Sequence, residues 1–325
     1  MKVYNALTAL IRAALWGTDP SEALAALSEG EWQELLRHAQ RQAVVGIVYD
    51  GLSESHPGAS GNPVKLPMAL FAEWTSLVRE IEISGSRIRA VCEKQAEVWE
   101  KHGIAPYILK GTVCAAYYPK PSHRQMGDID WCFTDPGEWE KGLEIVRSNG
   151  LDIKLDSDGD ISYTLAGVVV EHHREGLPAR SDAGLICSLT DHIFHHFSTS
   201  GIGLRQLCDL ALVIARTDVD KTELLSLLKK EGLKKFYGLV VAFLKEDLGL
   251  EVAEDAALGI PGRDVSRFRE IVWKDGNFGL DKAFRFSDMS PRIRICFKYA
   301  FFAFFQRWIG LFVATSDNHS HSCKC

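Results

Sequence analysis

The feature that most constrains the fold is an island of strand-like sequence set between long stretches of helical periodicity. Upstream of it, Leu70, Trp74, Leu77, Ile81, Ile88, Val91 and Val98 recur at helical spacings. Such a stripe buries one side of a helix, and Gly103 stands where a helix of that length closes through glycine's left-handed conformation. The texture then changes. Pro106, Tyr107, Ile108 and Leu109 form a short extended run, and strand-like runs follow at 128–133, 151–155, 161–165 and 168–173. A short helical piece at 113–118 and an amphipathic helix at 136–148 interrupt them, and Asp156, Ser157, Asp158 and Gly159 read as a turn. Residues 2–48 are helical in pattern, with a helix start at Asp19, Pro20, Ser21 and Glu22 and apolar faces from Leu24, Leu27, Trp32, Leu35 and Leu36. Residues 53–67, with Pro57, Gly58, Gly61 and Pro63, read as a loop. From 181 onward the period is helical again. The expected class is α+β, a small mixed β-sheet core at 101–179 flanked by an N-terminal helical domain (1–100) and a C-terminal helical domain (180–325).

Charge narrows the partners. The formal net charge of the 325 residues is -6, so there is no basic surplus to neutralise a long run of phosphates, and extended nucleic-acid binding is disfavoured. A local basic pocket for one polyphosphate remains compatible with that balance. Cys92, Cys114, Cys132, Cys187, Cys208 and Cys296 are scattered singly in apolar segments, as reduced thiols of a cytoplasmic protein are, and imply no disulfide framework. The first sixteen residues carry Leu7, Leu10, Ile11, Ala14 and Leu15 at helical spacing with Arg12 among them, which reads as an amphipathic helix of the mature protein and not a signal peptide. The apolar stretch 293–314 contains Arg294, Lys298, Gln306 and Arg307. Charges at that density argue against a transmembrane segment and for a core helix, with a partner-binding helix as the other reading. His319, His321, Cys323 and Cys325 are of metal-ligand type but lie in alternate positions at a chain end, the pattern of a frayed tail.

The chemistry concentrates where the strands begin. Side chains two apart on a strand share a face, so Asp128 and Asp130 project together, about 6–7 Å apart by twice the strand rise, while Ile129 and Trp131 face a packed side. Two such carboxylates can share a divalent ion, as magnesium takes carboxylate and phosphate oxygens. Asp-x-Asp alone also serves glycosyltransferases, which hold a nucleotide-sugar diphosphate with it. Upstream, with sixteen residues between Gly111 and Asp128, Gly111 and Thr112 open a helix directly after a strand, where backbone N–H groups can meet phosphate oxygens. Arg124, on the return loop, has a fork suited to phosphate, or to a carboxylate partner.

Leu109–Lys110–Gly111, Tyr118–Pro119, Arg124–Gln125–Met126–Gly127–Asp128–Ile129–Asp130 and Glu171-x-His173 together resemble the uncharacterised nucleotidyltransferases that share the polymerase-β-type minimal core. The likeness is dense over residues 105–133. It is looser downstream, where the family's Glu-Leu-His-Trp is here Glu171–His172–His173–Arg174. A weaker echo runs through His192-x-x-His195, Gly203–Leu204–Arg205 and Asp209. The resemblance implies transfer of a nucleoside monophosphate from an NTP, ATP first among them, to a small-molecule, peptide or protein acceptor, with Mg2+ or Mn2+ as cofactor. It implies Asp128, Asp130 and Glu171 as catalytic metal carboxylates, and Lys110, Gly111, Thr112 and Arg124 as triphosphate contacts. A nucleotide-binding regulatory or antitoxin-like partner with little catalysis is the competing reading, and a DxD glycosyltransferase a third, although residues 1–100 read as helices and supply no nucleotide-sugar domain.

The remaining candidates are histidines and one arginine. His192, His195 and His196 fall near one another on a helix and have zinc-ligand spacing, but no third ligand lies at a recognisable distance along the chain. Packing or substrate contact from the helical segment is preferred, with His195 and Arg205 as substrate residues. His173 shares the face of Glu171 and could orient it. Alternation places Glu171 beside Val169, so it is expected among apolar neighbours needing a compensating cation, or else on an exposed edge strand beside His172 or Arg174. Asp209 is expected to pair with Arg205 one helical turn earlier.

Overall fold

Two buried apolar clusters organise the chain, and one helix belongs to both. The computed structural model describes residues 1–54, 66–155, 159–174, 181–252 and 259–277. Helices α1 (Lys2–Trp16), α2 (Ser21–Leu24), α3 (Glu29–Arg41) and α4 (Val45–Glu54) precede α5 (Met68–Lys101), whose 34 residues reach about 50 Å at the usual rise per residue. Leu70, Trp74 and Val78 of α5 lie in the first cluster, and Ile88, Val91, Cys92 and Trp99 in the second. The apolar stripe visible in the sequence is therefore one continuous helix serving two cores.

The second cluster lies under a five-stranded sheet of β1 (Tyr107–Ile108), β2 (Asp128–Cys132), β3 (Lys154–Leu155), β4 (Ile161–Leu165) and β5 (Val168–His173), in the order β1-β2-β5-β4-β3. Only β2 and β5 pair in parallel; the other pairs are antiparallel. Helix α7 (Pro136–Ser148) begins the connection that makes the parallel pair possible. Asp135 caps it, accepting from the N–H groups of Gly137 (2.7 Å) and Glu138 (3.0 Å), a contribution of about 1 kcal/mol. Ile129, Trp131, Val170 and His172 point into this cluster or its polar seam, where His172 Nε2 meets the Tyr163 hydroxyl at 2.9 Å and Gln95 bridges Tyr163 to the Trp131 indole. Burial drives the His172 imidazole down to about 3, so it is a neutral packing group. The strand expected at 151–155 is reduced to its last two residues, both exposed at the sheet edge. The helical piece after Gly111 is likewise a single turn, α6 (Thr112–Ala115).

The first cluster joins α1, α3, α4 and the start of α5 to α8 (Asp182–Ser198), α9 (Leu204–Arg216), α10 (Lys221–Lys230), α11 (Lys234–Leu248) and α12 (Gly262–Asp275). Leu7, Leu10 and Ile11 of α1 are fully buried in it beside Leu239, Phe243 and Phe268. Polar clamps hold the same seam: Trp16 donates to Leu248 O (2.6 Å), and Arg12 donates to Asp247 O (2.9 Å). Helices from the first and last parts of the sequence thus share one apolar core. Among the described residues no helix is long and apolar enough to cross a membrane, and the first hundred hold helices without a strand, which removes the architecture the glycosyltransferase reading required. Cys92, Cys114, Cys132, Cys187 and Cys208 are buried free thiols. The apolar stretch 293–314, Cys296, the His/Cys tail, most of the 53–67 loop and most of the turn at 156–159 lie outside the described residues.

Candidate active site

The parallel register of β2 and β5 sets Asp130 beside Glu171, Cys132 beside His173 and Asp128 beside Val169. Strand alternation puts Asp128, Asp130, Glu171 and His173 on the face turned away from the second cluster. Asp130 is 1% exposed, whereas the Glu171 side chain keeps 36% of its surface. The N–H of Leu109 donates to Asp130 O (3.1 Å), which pins the end of β1 and delivers Lys110, whose Nζ lies 3.1 Å from Asp130 Oδ1. His173 Nε2 is 3.3 Å from the same oxygen and 3.6 Å from Glu171 Oε2, while its Nδ1 lies 2.7 Å from Asp160 Oδ2. Asp130 Oδ2 is buried without a hydrogen-bond partner among the described residues. Gly111, at the start of α6, has φ 65° and ψ -106°, a backbone conformation that side chains disfavour.

Electrostatics on this face are those of crowded carboxylates. Burial, then the charge of Asp130, raises Asp128. Burial, then Asp130 and Asp128, raises Glu171. At Asp130 burial would do the same, but Lys110 and His173 prevail and hold it below the ordinary carboxylate range. Burial pulls His173 down, yet its bonds to Asp130 and Asp160 dominate and lift it to about 10.

Helices α8 and α9 form the opposite wall. Leu189, His192 and Ile193 from α8 and Arg205, Gln206 and Asp209 from α9 line a cleft with Lys110, Gly111, Arg124 and Asp128. Arg124 is 2% exposed and makes a forked pair with Asp209, Nε to Oδ1 at 2.8 Å and Nη2 to Oδ2 at 2.6 Å, and the Tyr118 hydroxyl donates to the same carboxylate at 2.7 Å. Arg205 donates from Nη1 to Gln125 O (3.0 Å). The return loop is thereby clamped to α9. Arg124 Nη1 and Arg205 Nε are buried without partners among the described residues. Burial, then the Lys110 charge, lowers both His192 and His196, the latter to about 3, so both face the cations as neutral rings.

The family model described as "Uncharacterised nucleotidyltransferase" matches residues 28–185 and 175–249. The chain belongs to this family. It is accordingly an enzyme that transfers nucleotidyl groups. No curated protein and no solved structure matches it. In this nucleotidyltransferase Asp128, Asp130, Glu171, His173 and Lys110 come together on one sheet face, and Gly111, Arg124 and Arg205 line the adjoining cleft. Thr112 lies on the first turn of α6 with its side chain hydrogen-bonded to the Cys92 thiol, and His195 is exposed, so His192 is the histidine of this trio that lines the cleft.

Two expectations are corrected. Asp209 pairs with Arg124 across 85 residues, not with Arg205 one turn away, because the forked geometry and the Tyr118 hydroxyl are available only there. Arg124 is consequently a buried ion-pair residue, the carboxylate-partner alternative for this loop position. Glu171 is neither an edge-strand residue nor set among apolar groups: β5 is an inner strand, and its neighbours on that face are Asp130 and His173. Asp160 escaped the sequence reading, standing just outside a strand with nothing to mark it, and His192 was weighed there with His195 and His196, whose directions only packing could decide.

Proposed function

We propose that the enzyme transfers a nucleoside monophosphate from an NTP, ATP first to be tested, to a small-molecule, peptide or protein acceptor, with Mg2+ or Mn2+ held by Asp128, Asp130 and Glu171. The observation that carries this reading is the adjacency of Asp130 and Glu171 across β2 and β5, at a cleft whose far wall bears Arg205 and Arg124. The residues suit a cation: oxygens of Asp130 and Glu171 and a ring nitrogen of His173 lie within 4.8 Å of one another, and Asp130 Oδ2 is buried without a partner. When bound, the metal supplies charge neutralisation for the triphosphate and the acceptor oxygen.

The chain's own groups do the positioning, which together with electrostatics is most of what phosphoryl transfer requires. Lys110, with Gly111 and Thr112 through their backbone, receives phosphate oxygens beside Asp130. Arg205 and the uncommitted Nη1 of Arg124 meet the same anion from the α9 side. Neutral His192 offers a hydrogen bond without adding charge. Arg124 also holds the return loop, so its fork serves structure and site together. The buried free thiols accord with a cytoplasmic setting.

The test is incubation with each labelled NTP and Mg2+ or Mn2+, with and without the products of neighbouring genes, followed by intact-mass measurement. A gain of one NMP on an acceptor, lost in Asp130→Asn, is expected. NTP binding without transfer to any acceptor would favour the regulatory reading instead.

A further inference from the structure

We propose that His173 is itself a metal ligand, supplying a nitrogen beside Asp130 and Glu171, and that Asp160 holds its ring for that purpose, so that the site prefers a divalent transition-metal ion such as Mn2+ to Mg2+. The inference rests on the reading above that a cation sits among Asp128, Asp130 and Glu171, and it adds a nitrogen ligand to those carboxylates.

Geometry carries it. His173 Nε2 stands 3.3 Å from Asp130 Oδ1 and 3.6 Å from Glu171 Oε2. Metal–ligand bonds of about 2.1 Å at right angles set neighbouring ligand atoms about 3 Å apart, so His173 Nε2 already stands near ligand spacing from both carboxylates. Lys110 and His173 both engage Oδ1 of Asp130, while Oδ2 is buried and unpartnered. Asp130 Oδ2 thus remains uncommitted even with Lys110 in place.

The ring is oriented as ligating histidines are. Its Nδ1 lies 2.7 Å from Asp160 Oδ2, leaving Nε2 as the atom presented to the cluster; the proton that Nε2 holds toward Asp130 in the metal-free site is released to solvent when a cation takes its place. Asp160 is itself fixed, its Oδ1 accepting from the Arg174 N–H at 2.9 Å, and the Arg174 guanidinium lies 3.8 Å from the centre of the Trp139 ring. A carboxylate on the far nitrogen sets the tautomer and raises ligand basicity at metal sites. Magnesium takes oxygen ligands almost throughout, whereas an imidazole suits transition-metal ions. An imidazole added to the carboxylates thus shifts selectivity away from Mg2+.

The experiment uses the full chain and Mn2+ alone, without nucleotide. The loss of the free Mn2+ electron-paramagnetic-resonance signal gives affinity, and electron-spin-echo modulation of the bound ion reads directly coordinated nitrogen. A 14N coupling is expected, replaced by 15N coupling in protein made with 15N-histidine and absent in His173→Gln. Asp160→Asn should bind Mn2+ about ten- to a hundredfold more weakly with an unchanged circular dichroism spectrum, and Mg2+ should compete only in large excess. Bound Mn2+ with no nitrogen coupling in the wild-type chain overturns the proposal whether or not His173→Gln folds. Unchanged affinity in Asp160→Asn overturns the part given to Asp160. Nitrogen coupling without NMP transfer to any acceptor would support the ligand while removing the catalytic reading, so the two can fail separately.

Discussion

Arg124 joins two duties that one substitution cannot separate. Its fork on Asp209 is buried, with Tyr118 on the same carboxylate, so Arg124→Ala leaves an unpaired charge in the interior and should destabilise the chain by about 3–5 kcal/mol, read as a lowered urea midpoint. The site carboxylates behave differently. Asp128→Ala, Asp130→Asn and Glu171→Gln each remove negative charge from a crowded face, and each should lower NMP transfer at least about a hundredfold, on the scale of one electrostatic contributor, with little change in far-UV circular dichroism. Near-wild-type turnover in any of the three removes that residue from the reaction. Asp128 and Asp130 were legible from strand period, Gly111 from its place between strand and helix, and Lys110 through the family resemblance. The Arg124–Asp209 pair was not, since nothing local in the sequence links residues 85 apart.

At the scale of elements, end signals and close approaches decide more than propensity. Ser28 and Glu31 form a reciprocal cap on α3: the Glu31 N–H donates to Ser28 Oγ, and the Ser28 N–H donates to Glu31 Oε2 at 2.8 Å. The bonds from Ser28 and Lys2 hold the Glu31 carboxyl at about 2, below its unfolded value of about 4.3. The folded state therefore favours the ionised form, and this stabilisation is full above about pH 4.3 and disappears as pH falls toward 2. The difference in urea midpoint between wild type and Glu31→Gln should shrink over that interval; a constant difference would remove the cap's ionic part. Helices α1 and α4 pack so closely that a Cβ on Gly51 would lie 2.1 Å from Leu10 O. Gly51→Ala should cost about 1–3 kcal/mol through forced separation of the two helices, measured by the same denaturation. The helix at 136–148 was readable in the sequence, while β3 shrank because its exposed edge position gives it few burial contacts.

For the whole molecule, the shared first cluster determines how the chain unfolds. The division of the sequence at about 100 and 180 follows texture, and if it marks separate folding units, a chain lacking residues 1–54 should keep a sharp melting transition. Because α1, α3 and α4 share a core with α8–α12, we expect the opposite. Removing them bares the apolar faces around Leu239, Phe243 and Phe268, and the truncated chain should lose cooperativity and bind a hydrophobic dye.

The sequence by itself determined the element types, the central sheet and the face carrying Asp128 and Asp130, because helical and strand periods and glycine punctuation act over a few residues. Glu171 could be named from its motif and its strand expected beside that of Asp128 and Asp130, but only the parallel register of β5 on β2 set it opposite Asp130. Tertiary structure alone decided that His192 and not His195 lines the cleft, that Asp160 grips His173, and that Arg124 spends its fork on Asp209. Each of these depends on which surfaces of distant elements meet, and that is fixed by packing into a common core, to which local periodicity gives no address.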